Sequence, residues 1–149
     1  MDFVTFEIAK KLKEKGFDEE CLAYYTSEYT LYNNEVVLCD DKYLVKAKID
    51  YEECLYSHNT QKDLLRFIVD APTISQVLKW LREEKKIYVG ISYMPKIISE
   101  EGVMDDFYYP TFQKIDLFEP MFFIGGDDNY STYEEAVLAG IEYVLDNLI

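Results

Sequence analysis

Residues 71–91 read APTISQVLKWLREEKKIYVGI, and this stretch decides what kind of fold the chain builds. Pro72 restricts Ala71 to an extended backbone. Thr73 and Gln76 then form a T-x-x-Q capping box at a helix start. Ile74, Val77, Leu78 and Leu81 recur at i, i+3, i+4 and i+7, one apolar stripe with Trp80 just off its edge. Lys85 and Lys86 fall where cations meet the negative end of the helix dipole. IYVGISY follows at once as a strand. A capped amphipathic helix feeding a strand through so short a connection is architecture, not a catalytic motif.

Working outward, Thr5 can cap a first helix in which Ile8 and Leu12 stack at i, i+4, and Gly16 supplies its left-handed stop. From Cys21 to Ile49 the pattern turns aromatic and β-branched, with turns expected at Asn33-Asn34 and Asp40-Asp41. TQKDLLRFIV reads as a short helix from Thr60, with a strand over LLRFIV as the alternative. FYYPTFQKI and MFFIGG are the expected partners of IYVGISY, and Pro110 marks the former as an edge or bulged strand. The last helix opens at Ser131 or Thr132 with Glu134 or Glu135 as the box partner. It buries Val137, Ile141, Val144, Leu145 and Leu148, and Gly140 inside it suggests close packing. The expected fold is α+β: one domain, 1–149, with a small antiparallel sheet and three to four helices packed mainly on one face.

Composition narrows the function. The chain carries 49% hydrophobic and 16% aromatic residues and a net charge of −14, a globular and strongly acidic protein. Residues 18–41 hold seven acids and no base, residues 97–149 twelve acids and one base, and residues 42–96 ten bases and seven acids. Such a field repels nucleic acid and anionic membrane and favours a basic partner. The N-terminus has no basic leader followed by an apolar stretch, so no secretory signal is expected. Cys21, Cys39 and Cys54 fit neither a disulfide framework nor a zinc site, and read as reduced thiols.

The tests for chemistry fail in turn. His58 is the only histidine, and its neighbour Ser57 points away from it in helix or strand alike. DDNYSTYEEA starts like a calcium loop but puts Thr132 where the glycine belongs and Leu138 where the glutamate belongs. Asp70 with Glu84-x-Lys86 imitates a metal-dependent nuclease pattern, but on a helix end instead of a strand. No phosphate-cradling glycine loop occurs. No catalytic residue, metal ligand or cofactor is therefore assigned. Two weaker features remain. Lys79, Arg82 and Lys86 form a basic stripe that could hold an anion, with Lys62 and Arg66 nearby in sequence. Trp80, Tyr108 and Tyr109, with Asp127 and Asp128, could form a partner-binding patch, although packing at the core boundary is the commoner fate of such rings.

KLKEKGFDEECLAYY (11–25), APTISQVLKWLREEKKIYV (71–89) and YSTYEEAVLAGIEYVLDNL (130–148) resemble a family of small proteins of bacterial prophages and mobile elements. The resemblance implies a bacterial cytoplasm and brings no catalytic residues, since the family has no assigned activity. The leading expectation is a non-catalytic interaction protein that binds another protein, basic or nucleic-acid-binding. In its sharper form the acidic 97–149 half imitates a nucleic-acid backbone and inhibits a host factor. The alternative is a sponge-like protein that binds a small molecule, for instance a nucleotide, using Lys79, Arg82 and Lys86. A carboxylate enzyme ranks behind both.

Overall fold

Thr5 opens the first ordered element. In the computed structural model, which describes residues 2–32, 35–45, 64–114, 122–124 and 129–149, the chain divides into two units, Met1–Thr73 and Ile74–Ile149. Among the described residues the first holds one sheet and the second holds two.

In the first unit the Thr5 hydroxyl accepts the Ile8 N–H at 3.4 Å and starts helix α1, Phe6–Glu14. Its buried face is Ile8, Ala9 and Leu12. Gly16, at φ +86°, ends it: the Gly16 N–H donates to the Lys13 carbonyl and the Phe17 N–H to the Leu12 carbonyl. That pair of bonds satisfies carbonyls a helix end leaves orphaned. Strand β1, Tyr24–Tyr32, lies between β2, Glu35–Val45, and β3, Leu64–Asp70, with both pairings antiparallel.

Two expectations change here. The short helix drawn from Thr60 is a strand over Leu64–Asp70, while residues 60–63 lie outside the described residues. Periodicity cannot separate helix from strand in so short an apolar run, and the neighbouring β1 decides it. Asp40 and Asp41 do not form a turn. They sit within β2 where the register against β1 shifts, Ser27 pairing with Lys42 but Tyr29 with Leu38, so the extra residues are taken up as a bulge. Asn33-Asn34 lies outside the described residues, between the paired Tyr32 and Glu35.

In the second unit helix α2, Ile74–Glu83, buries Val77, Trp80 and Leu81. The buried stripe is thus rotated toward Trp80, which is 2% exposed, and Ile74 and Leu78 are only half-buried. The chain leaves α2 through Lys86, a non-glycine residue at φ +57°, and enters β4, Ile87–Met94. Two short strands follow, β5, Ile97–Ser99, and β6, Gly102–Met104, then β7, Phe107–Lys114, and β8, Phe122–Ile124. Helix α3, Tyr133–Asn147, closes the unit. Its capping box is the Thr132 one, with the Glu135 N–H on Thr132 Oγ1 at 3.2 Å and the Thr132 N–H on Glu135 Oε2 at 3.3 Å. Ala136, Val137, Gly140, Ile141, Val144 and Leu145 are buried, and Leu148 is half-buried.

The sheet order β4-β7-β8 makes β7 the central strand, so Pro110 does not mark an edge. The backbone explains how proline is tolerated there. The Tyr108 N–H and carbonyl both bond Tyr130, at 2.8 and 2.9 Å, away from β4. By alternation, position 110 would direct its N–H to that same side. Among the described residues, β8 pairs only with Thr111–Gln113 and Tyr130 only with Tyr108, so residue 110 falls in the gap between them. Gly140 does serve close packing: a Cβ there would lie 3.0 Å from Pro110 Cβ, 3.1 Å from Val89 Cγ1 and 3.7 Å from Phe112 Cε1. Phe112 is fully buried and stacks on Tyr143 with centroids 5.0 Å apart. The class is α+β, with separate small antiparallel sheets where a single one was expected.

Candidate functional site

Strands β4 and β7 pair in one register from Ile87 opposite Lys114 to Met94 opposite Phe107. Strands β5 and β6 continue the same register, Ile97 opposite Met104 and Ser99 opposite Gly102. The four strands are therefore one long β-ribbon, interrupted at Pro95-Lys96 and Asp105-Asp106. Side-chain bonds span the interruption. Lys96 Nζ lies 3.6 Å from Asp105 Oδ1, and the Tyr93 hydroxyl donates to Asp106 Oδ2 at 3.0 Å. That bond, with burial and the Asp106 charge adding to it, raises the Tyr93 pKa above its ordinary 10.0. At about 3.3 Å per residue, the five residues past Met94 span at most roughly 17 Å of chain.

The arm is apolar on both sides. Ile98 is 76% and Val103 62% exposed on one face, and Ile97 is 43% and Met104 45% exposed on the other. A two-stranded hairpin with both faces wet is marginal by itself, and clustered exposed apolar side chains mark contact surfaces more often than chance decoration. An open concavity of about 310 Å³ lies along it, lined by Ile97, Ser99, Glu101, Gly102, Val103 and Met104. Glu101 is the only ionisable group in that lining, so the hollow offers no acid–base pair. Glu100 and Glu101 occupy the tip and Asp105 and Asp106 the root, all exposed.

The side chains singled out in the sequence do not converge. Trp80 is in the core, where Lys85 Nζ sits 4.9 Å above its ring, so it cannot join a surface patch. Tyr108 and Tyr109 are neighbours on a strand and point to opposite faces. Tyr108 packs between Tyr93 and Tyr133, at 5.1 and 6.3 Å, and Tyr109 lies 5.9 Å from Phe107. The proposed Trp80–Tyr108–Tyr109 patch is therefore corrected to one core residue and two separate half-buried rings. Lys79 and Arg82 each approach Glu83 at 3.9 Å, both pairs exposed, and Lys86 is exposed at the left-handed position. Glu83 thus partly neutralises the basic stripe from within. Asp127, Asp128, His58, Cys54 and Lys62 lie outside the described residues. Cys21 is buried, its thiol 3.4 Å from the Glu19 carbonyl. Glu84 and Lys86 stand past the end of α2, not on a strand.

The arm was not foreseen. Its signal is nevertheless in IISEEGVM (97–104), two apolar pairs around a Glu-Glu-Gly turn. Among the described residues, no group of three His, Cys, Asp or Glu side chains could hold a metal ion, and no helix is long and apolar enough to cross a membrane. The fold and site define an α+β chain with an exposed apolar β-ribbon. No protein-family model, no curated protein and no solved structure matches it.

Proposed function

We propose that this is a non-catalytic interaction protein, of the kind carried by phages and mobile elements in a bacterial cytoplasm, that binds another protein through the arm formed by β5 and β6. The observation that carries the reading is the projecting pair Ile98 and Val103, exposed beside Ile97 and Met104 and rimmed by Glu100, Glu101, Asp105 and Asp106. The partner face it suits is apolar at its centre and lysine- or arginine-rich around it. Attraction between the acidic rim and that basic surround would speed the encounter, and burial of the apolar pairs would hold the complex.

The test compares immobilised wild-type protein with an Ile98→Asp/Val103→Asp variant whose far-UV spectrum and melting point are unchanged. A protein captured by the first and lost by the second, and released as salt rises, is the expected result. Capture of the same proteins by both forms would refute the docking role of the arm.

A further inference from the structure

Among the described residues strand β4 is an outer strand of its sheet, and the edge it turns away from β7 can be oriented from the bonds on the far side of β7. Because Tyr108 turns both backbone groups toward Tyr130, its opposite number Tyr93 turns both of its own away from β7. Ile91, Val89 and Ile87 do the same by alternation. Among the described residues no strand pairs with that edge. It is also unprotected. Ile87–Met94 contains neither charge nor proline, whereas the outer strands of the first unit carry Glu35, Asp40, Asp41 and Lys42, or Arg66 and Asp70. Outer strands left this bare invite another strand.

We infer that the strand which pairs there is β4 of a second copy, antiparallel about a two-fold axis near Ile91. This deepens the proposed function, since it rests on the arm being a docking element and names its partner. The charge pattern selects the second copy. In antiparallel pairing, the end of one β4 passes the beginning of the other, so each arm runs on past the start of the opposite β4. There the chain has just left α2, and four bases, Lys79, Arg82, Lys85 and Lys86, outnumber the two acids between them, Glu83 and Glu84. The arm brings Glu100, Glu101, Asp105 and Asp106, while Lys96 is already paired with Asp105. An isologous interface requires one surface to complement itself, and this unit carries both halves, acidic arm and basic helix end. Whole-chain repulsion acts over longer distances and is screened beyond about 8 Å at physiological ionic strength.

The experiment measures mass in solution by sedimentation for four proteins at matched concentration: wild type, Glu100→Lys/Glu101→Lys, Arg82→Glu/Lys86→Glu, and the four changes combined. The expected result is a wild-type dimer, at least tenfold weaker association for each single-sided reversal, and recovery in the combined protein. Ile91→Pro, which removes one outward N–H, is expected to leave the monomer fold intact and abolish the dimer. A monomeric wild type would overturn the inference. So would a dimer indifferent to the reversals, or one broken by both and not restored by their combination. A monomer whose arm still captures another protein in an Ile98-dependent way would refute the second copy alone. A monomer with no arm-dependent capture would refute the docking role as well.

Discussion

Gly140→Ala provides the sharpest test of how the second unit is packed. In an isolated helix the change would be favourable, since glycine costs about 1 kcal/mol against alanine in a helix interior. The structure reverses the sign. The new methyl carbon would sit 3.0 Å from Pro110 Cβ and 3.1 Å from Val89 Cγ1, where unstrained carbon pairs prefer about 3.5–4.0 Å. Neither neighbour yields easily. Pro110 is a ring on the central strand, and Val89 is β-branched with a stiff χ1. Overpacking of this kind typically costs 1–3 kcal/mol, so the net expectation is a loss of about 1 kcal/mol and a melting point lower by roughly 4 °C. Calorimetry or denaturant titration measures it. Val89→Ala removes one of the two contacts, so Gly140→Ala should cost at least about 0.5 kcal/mol less in that background. A Gly140→Ala protein more stable than wild type, or strict additivity with Val89→Ala, would show that α3 does not lie this close to β4 and β7.

Three further outcomes follow from local geometry. Thr132→Ala should lower stability by about 1 kcal/mol in urea unfolding, since it removes the hydroxyl that accepts the Glu135 N–H and frees the reciprocal Glu135 contact. Lys86→Gly should raise stability by roughly 1 kcal/mol, because only glycine occupies φ near +57° without a Cβ penalty; an unchanged melting point would contradict that backbone geometry. Burial raises the Tyr25 pKa above 10.0, and its hydroxyl donates to the Val4 carbonyl at 2.7 Å. The folded state therefore holds this proton more tightly than the unfolded state. The resulting stability is fully present below pH 10 and is lost as pH rises through the folded value above it. Tyr25→Phe should lose roughly 1 kcal/mol at neutral pH through the unbonded carbonyl, and its unfolding midpoint should fall less steeply than the wild type's above pH 10.

Much of this fold is decided locally and was legible in the residues. Thr5 with Gly16 bounds α1, Thr132 with Glu135 opens α3, and the run from Ile87 alternates as a strand must. Each of these is settled by backbone groups satisfied within a few positions. Charge is equally a property of composition, so the surplus of acids in 97–149 stands whatever the fold. Segments with two local solutions were not legible. LLRFIV became a strand because β1 lies beside it, and Trp80 joined the core because α2 turns that side inward. Tertiary structure alone also made Pro110 compatible with a central strand, through a gap in pairing among the described residues on one side. It likewise turned IISEEGVM into an exposed arm. Exposure depends on what the rest of the chain leaves uncovered, and no short-range pattern of side chains can encode that.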